Sequence, residues 1–341
     1  MRALVTGGGG FLGTAIVKRL RQRGDSVRSF ARSHYPHLEP LSVEQFLGDL
    51  ADRDAVIKAA ADRDIVFHVA AKAGIWGPYA DYYRVNVTGT ENVLAACRAS
   101  GIRKLVYTSS PSVVYTGCDE EGIDESTPYA HRFLAHYPHT KALAEKMVLA
   151  VNGANLATVA LRPHLIWGPG DPHLMPRLVA RARAGKLRQI GAGRNMVDAT
   201  YVDNAADAHL LAADRLEVGA PIAGKAYFVA QGEPLPLWDF INRMLATAEV
   251  PPVTRRVSAQ SAYVLGTLLE MVYVLMRLPG EPPMTRFVAR QLSTSHWYDL
   301  SAIKRDLGYM PQVAVAEGLR RLRESFSRTA SDSSKMNQDF A

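Results

Sequence analysis

Tyr137-Pro138-His139-Thr140-Lys141 sets a tyrosine and a lysine four residues apart. On a helix that spacing puts both side chains on one face, and Pro138 suits the first helical turn. An ammonium close to a phenol favours the phenolate, so Lys141 is expected to lower the pKa of Tyr137 and let it exchange a proton with a substrate oxygen. A second hydroxyl source lies upstream, where Val106-Tyr107-Thr108-Ser109-Ser110-Pro111 closes a β-rich run. Pro111 biases Ser110 to extended backbone, which helps to aim its hydroxyl; Ser112 is the alternative donor, and simple strand-end capping is the bland reading of the cluster.

Near the N-terminus, Thr6-Gly7-Gly8-Gly9-Gly10-Phe11-Leu12-Gly13 sits between a strand and an amphipathic helix. With Gly7, Gly10 and Gly13 the backbone can turn tightly, approach a pyrophosphate and offer it the amides of Phe11 and Leu12 at the helix start. The spacing therefore points to a dinucleotide. In a site for NAD the second strand commonly ends in an acid that holds the ribose 2′-hydroxyl. Here the strand ends in Ala31-Arg32-Ser33, which removes the repulsion toward a 2′-phosphate and offers it a guanidinium fork. NADP(H) is the expected cofactor, with dual use as the alternative.

These residues need a scaffold, and the first half of the chain supplies its pattern. Short β-rich runs (Arg2 to Thr6, Ser26 to Phe30, Ile65 to Val69, Lys104 to Ser109) alternate with helical stretches (Phe11 to Arg23, and one ending near Ser100). That alternation reads as βαβ units and an α/β fold: a Rossmann-type, doubly wound parallel sheet whose ligand sits beyond the carboxyl ends of the strands. Ala157 to Leu161 and Ala226 to Val229 are two further strand candidates. The expected division is a dinucleotide-binding domain over 1–165, joined by the later strand near 226–229, a smaller and mostly helical substrate lobe over 166–326, and a disordered tail over 327–341.

Bulk properties exclude several classes. The chain has 341 residues and a net charge of +7, and the basic run Arg177, Arg181, Arg183, Lys186 and Arg188 has the spacing of a solvated helix face. No nucleic-acid motif is present. Two cysteines, Cys97 and Cys118, make neither a disulfide framework nor a metal cluster. Met1 leads straight into a strand, so no signal peptide is expected and the cytoplasm is the expected compartment. The stretch from Val257 to Met276 is almost free of charge apart from Glu270; a pocket wall for acyl chains, a partner surface, a membrane contact and ordinary lobe packing are all open to it.

Together these motifs resemble the extended short-chain dehydrogenases/reductases, over nearly the whole chain up to about Phe326. Gly7, Gly10 and Gly13 match the glycine motif, Gly48-Asp49-Leu50 the adenine contact, Ala70-Ala71 the turn after the fourth strand, and Asn86 an asparagine behind the site. Leu161-Arg162-Pro163 and Tyr201-Val202-Asp203-Asn204 match two later signatures. The resemblance implies catalytic roles for Tyr137, Lys141 and Ser110, and cofactor contacts from Asp49, Leu50, Ala70, Ala71, Lys72, Thr108, Pro163 and Leu165 besides those named above.

Tyr107-Thr108-Ser109-Ser110 and the Tyr137 segment resemble the 3β-hydroxysteroid dehydrogenase branch. Leu161 to Asp171, Gly232-Glu233-Pro234-Leu235-Pro236 and His296-Trp297-Tyr298 resemble the 2-alkyl-3-oxoalkanoate reductases of bacterial long-chain olefin biosynthesis. That likeness implies a long-chain, lipid-like substrate, partnership with a β-lactone synthetase and a β-lactone decarboxylase, and a homodimer, in the cytoplasm or at the membrane periphery. Lys72 or Arg162 is the expected partner of the substrate carboxylate. The competing expectations are a 3β-hydroxysteroid or sterol-4-carboxylate 3-dehydrogenase and a non-catalytic NADP sensor. Sugar-nucleotide dehydration is disfavoured, because an acidic pair would be needed where Ser110-Pro111 stands.

Overall fold

In a computed structural model, which describes residues 1–338, the chain builds one parallel seven-stranded sheet. Its strands are β1 (Arg2–Thr6), β2 (Ser26–Ala31), β3 (Glu44–Leu47), β4 (Ile65–His68), β5 (Lys104–Thr108), β6 (Ala157–Pro163) and β7 (Lys225–Val229). Across the sheet they run β7-β6-β5-β4-β1-β2-β3. The order reverses between β1 and β4, which is where a doubly wound sheet opens a crevice. Both faces are covered, so the central strands are largely apolar: Ala3 and Val5 enter one core while Leu4 between them enters the other.

Helices α1 (Phe11–Gln22), α2 (Arg53–Ala60), α3 (Gly89–Ala99) and α4 (His136–Ala150) connect the strands of the first half. Asp52 caps α2 by accepting from the Ala55 amide, as short polar side chains do at helix starts. Ahead of α3 the chain makes a π-type turn over Tyr83–Thr88, which contains Asn86. Helix α5 (Leu174–Arg183) belongs to the second lobe, and α6 (Val202–Arg215) packs beside α1, where Arg19 meets Asp207 at 2.6 Å.

The smaller lobe has its own core, centred on Trp167 with Tyr201 and Phe240 edge-on at 5.2 Å each. It holds α7 (Leu237–Thr247), α8 (Ala259–Leu275) and α9 (Arg286–Gln291). It is less purely helical than expected. Glu120–Ile123, Met196–Val197, Leu235–Pro236 and His296–Tyr298 form a four-stranded mixed sheet, which segments of two to four residues do not announce by any periodicity.

The expected tail also differs. A closing helix, Val315–Gln338, runs through the stretch read as disordered from Ser327, and 339–341 lie outside the described residues. Buried Leu322 and part-buried Leu319 and Phe326 fix its first turns against the lobe core, and a helix once nucleated extends at little cost. Arg177 pairs with Glu281 at 2.7 Å and Arg181 donates to the Pro283 carbonyl, so part of the basic run latches a loop.

Candidate active site

The crevice beyond β1 and β4 is a cavity of about 870 Å³. All the residues singled out above as catalytic or cofactor-binding line it: Gly7, Gly10, Phe11, Leu12 and Gly13; Arg32; Asp49 and Leu50; Ala70, Ala71 and Lys72; Thr108 and Ser110; Tyr137 and Lys141; Pro163 and Leu165. They come from segments up to 158 positions apart, each delivered at or just after the carboxyl end of a strand or at the start of a helix.

One end is a cradle of backbone. Gly7 has φ +70°, and a Cβ on Gly13 would lie 2.0 Å from the Gly7 carbonyl oxygen, so no side chain fits between this turn and α1. The start of α1 has no side-chain cap, which leaves its first amides to a ligand and gives it a partial positive charge. A pyrophosphate fits that pattern. Toward the adenosine end, exposed Arg32 follows β2. Partial burial works to raise the Asp49 pKa, yet the Ala51 amide and the Arg84 guanidinium, 2.7 Å away, hold it below the usual range. Arg84 and Tyr35 also line this end. Neither was singled out from the sequence, where nothing in the local pattern marks a residue that reaches the cavity from a helix or a loop.

At the other end the wall is functional side chains. Lys141 is buried and donates to the Thr108 carbonyl at 2.5 Å, with its Nζ 4.2 Å from the centre of the Tyr107 ring. Burial pulls its pKa down to about 7, against the pull of Glu145. Thr108 is tied through its hydroxyl to His209 at 2.8 Å. Ser110 is extended, as expected before a proline, and its Oγ lies 2.9 Å from Ser112 Oγ. Ser110 lines the cavity and Ser112 stands behind it. Ser109 also reaches the cavity, with a buried hydroxyl that has no partner among the described residues.

The expected lowering of the Tyr137 pKa by Lys141 is not what the geometry yields. Burial raises it, and the opposing influence is a hydrogen bond with Ser110. The reason is desolvation, which penalises the phenolate while the lysine ammonium is engaged by a carbonyl and a ring face. Tyr137 is thereby held as a neutral phenol.

Asn86 is the joint of this end. Its Oδ1 accepts from the Lys72 amide at 2.7 Å, and its Nδ2 donates to the Lys72 carbonyl and to Thr140 Oγ1. One buried amide thus ties the loop after β4 to the first turns of α4. Leu165 has φ +41°, a conformation costly for a branched side chain. Thr200 holds the preceding carbonyl, that of His164, through both its amide and its hydroxyl.

Arg162 is not at this site. Its guanidinium lies against Glu145 at 2.6 Å under Tyr129, away from the cavity. A buried cation needs such a partner, so it is unavailable to a substrate carboxylate. Lys72 lines the cavity and meets Asp81 at 3.1 Å. Helix α8 contributes nothing to the lining of this cavity among the described residues, which tells against a pocket wall as one of the readings open to its apolar stretch. The described residues contain neither a metal-binding cluster nor a helix long and apolar enough to cross a membrane.

Comparison with known proteins agrees with this architecture. The chain is 55% identical over 327 residues to a 2-alkyl-3-oxoalkanoate reductase of Stenotrophomonas maltophilia, covering 95% of this chain and 99% of that protein. It is 52% identical to another of the same name from Shewanella oneidensis, covering 95% and 86%. Among solved structures, MoeE5 in complex with UDP-glucose and NAD superposes with a TM-score of 0.74 at 25% identity, covering 97% of this chain and all of that one. Residues 4–256 match the model of the 3-beta hydroxysteroid dehydrogenase/isomerase family, and with a sheet, cavity and relatives of this kind the chain belongs to that family.

Proposed function

We propose that this protein is an NADPH-dependent oxidoreductase that reduces 2-alkyl-3-oxoalkanoates to 2-alkyl-3-hydroxyalkanoates in long-chain olefin biosynthesis. The observation that carries the reading is the likeness, over nearly the full length of both chains, to reductases of that name. The cavity supports it: phenol, amine and hydroxyl converge at one end of a dinucleotide-shaped crevice.

When bound, the reduced nicotinamide supplies the hydride. The chain's own residues do the rest. Ser110 donates a hydrogen bond that polarises the C3 carbonyl, and Tyr137 gives its proton to the same oxygen. Its raised pKa suits that direction, since a group that must donate has to be protonated beforehand. Lys141, buried on the Thr108 carbonyl, positions the cofactor ribose and the tyrosine, and Lys72, which lines the cavity beside Asp81 on the exposed side, is our candidate for the substrate carboxylate.

A nicotinamide dinucleotide is the cofactor class, and NADP(H) is preferred because Ala31 and Arg32 stand where an acid would exclude a 2′-phosphate. The acid that remains nearby, Asp49, is neutralised by Arg84. A β-hydroxy acid product suits consumption by a β-lactone synthetase and then a decarboxylase, and a homodimer belongs to the same reading.

The test is a series of 2-alkyl-3-hydroxyalkanoates of increasing chain length, oxidised with NADP⁺ or NAD⁺. Each buried CH₂ adds about 0.8 kcal/mol, or roughly fourfold in kcat/KM until the pocket is full. A profile that climbs with chain length and favours NADP⁺ is expected. A flat profile, or preference for a 3β-hydroxysteroid or a nucleotide sugar, removes this substrate.

A further inference from the structure

Thr6 closes β1 and His68 closes β4, and the two stand side by side across the point where the strand order reverses. Their side chains open a hydrogen-bonded chain that the proposed reaction does not use. Thr6 Oγ1 accepts from the Val69 and Ala70 amides at 3.2 Å each and lies 2.8 Å from His68 Nδ1. On the far side of the ring, His68 Nε2 lies 3.0 Å from Thr90 Oγ1, whose proton goes to the Asn86 carbonyl at 2.6 Å. A hydroxyl has one proton to give. Thr90 spends its own on Asn86, so it accepts from His68 Nε2–H; Nδ1 is then bare and accepts from Thr6. The order of donors fixes the imidazole as neutral, with its proton on Nε2. Burial and the charge of Lys141 lower its pKa to about 3, which excludes the cation at working pH.

Each end of this chain backs a wall of the cavity. Thr6 precedes the phosphate turn, where Gly7 sits so close to the loop after β4 that a Cβ on it would lie 2.9 Å from the Ala70 Cα. At the other end, Asn86 Nδ2 donates to Thr140 Oγ1 at 3.0 Å, and Thr140 in turn donates to the His136 and Tyr137 carbonyls. Thr6, His68, Asn86, Thr90 and Thr140 are all at most 2% exposed. Water therefore does not compete for these bonds, and no link can turn away without orphaning a buried polar group. A histidine that merely filled the layer between sheet and helices would also need partners for two nitrogens. Those partners would not have to be the residue before one cavity wall and a residue behind the other.

We propose that His68 is a positioning residue, which holds the phosphate turn and the proton-donating end of the cavity in one register. A dinucleotide seats on the turn from Gly7 to Gly13, and the bonds through Thr6, His68, Thr90, Asn86 and Thr140 carry that placement to the first turn of α4, where Tyr137 stands. None of these five lines the cavity, so they act on the reaction only through the groups they hold. The inference rests on Tyr137 as the proton donor of the proposed reaction and not on which ketone is reduced.

The experiment has two arms. In the first, side-chain ¹⁵N NMR of the full chain, with the His68 signals assigned through His68→Phe, should show a neutral imidazole protonated at Nε2 that does not titrate between about pH 5 and 8, where an ordinary histidine changes charge. The other tautomer, or a titration in that window, overturns the proposal. In the second, NADPH affinity is read by fluorescence titration and kcat by oxidation of a 2-alkyl-3-hydroxyalkanoate. His68→Phe alone leaves the Thr90 hydroxyl facing an apolar ring, so it is combined with Thr90→Val; apolar groups of similar shape on both sides keep the fold. The double variant is expected to bind NADPH near the wild-type affinity and to lose about tenfold or more in kcat, since a misplacement of about 1 Å costs on the order of a hundredfold. Thr90→Ser, which keeps the hydroxyl, should retain wild-type kcat. An unchanged kcat in the double variant overturns the proposal. So does a parallel fall in kcat, affinity and melting temperature, which makes His68 a support of the sheet and nothing more. A wild type inactive on 3-hydroxy acids that oxidises a 3β-hydroxysteroid removes the proposed substrate, and the same comparison of variants, made on the steroid, still decides the role of His68.

Discussion

At the start of α1 the cavity wall is main chain, so close-fitting that a single methyl on Gly13 would lie 2.0 Å from a backbone oxygen. At the start of α4 and just after β5 the wall is Tyr137, Lys141 and Ser110, side chains fixed by hydrogen bonds and burial. The two ends therefore fail in different ways. Damage to the first is felt by folding and cofactor binding together, because backbone cannot move aside cheaply. Damage to the second is felt by the reaction, because the side chains there are chosen for protons rather than for shape. The glycine end is a fitted surface and the tyrosine end a set of tuned groups.

The largest effect that would sharpen this contrast is at Gly13. Gly13→Ala should lose cofactor affinity beyond detection by fluorescence titration and should cost at least about 1–3 kcal/mol in a denaturation experiment, the scale of an overpacked site. Normal binding by this variant would break the comparison at its first term. Next comes Tyr137→Phe, with turnover cut at least about a hundredfold while cofactor affinity and melting temperature stay near wild type. Lys141→Ala should harm both turnover and affinity. Retained turnover in Tyr137→Phe would move the proton donor elsewhere.

A smaller effect is expected at the adenosine end, which joins the two kinds of construction. Ala31→Asp with Arg32→Asn should shift the ratio of kcat/KM for NADPH over NADH by about tenfold or more, as a charged hydrogen-bonding fork is replaced by a repelling carboxylate. An unchanged ratio would assign the 2′-phosphate to another cation, with Arg84 the nearest candidate.

The smallest effect is a slope. Lys141 has its folded pKa lowered from 10.5 to about 7, so between these values the unfolded chain binds the extra proton and its contribution to stability rises with pH. Glu120, in the small sheet, is raised from 4.5 to about 8 by burial, so its contribution falls as pH rises through that lower window. Buried Cys97, raised from 9.0 to about 12, and buried His68, His164, His209 and His296, all lowered, add slopes of their own, so each group is read as a difference from wild type. Lys141→Met should remove part of the rise between pH 7 and 10, and Glu120→Gln should remove a falling contribution between pH 5 and 8. A stability profile parallel to wild type in either variant would show that the group replaced does not titrate as its surroundings dictate.

Which of these features were legible in the residues alone follows from the range of the forces involved. The glycine turn, the four-residue spacing of Tyr137 and Lys141, and the runs that became β1, β2, β4 and β5 are local patterns. They depend on backbone sterics and on helix and strand periods, which any stretch of chain carries with it. The same holds for the extended backbone of Ser110 before Pro111 and for the missing acid after β2.

Other features were decided by parts of the chain meeting from far apart. Arg162 looked available to a carboxylate until β6 placed it against Glu145 of α4. The apolar stretch of helix α8 was open to several readings until its stripe of Ala262, Gly266 and Glu270 fixed which face turns inward. Arg84 lines the cavity and pairs there with Asp49, 35 positions earlier in the chain, and the sheet built from His296–Tyr298 and Glu120–Ile123 pairs segments more than 170 residues apart. The Tyr137 pKa went up where spacing to Lys141 alone implied down. Spacing along the chain fixes which groups can be neighbours. Burial and long-range pairing fix how much water each retains and which way it faces, and those depend on the whole packed chain.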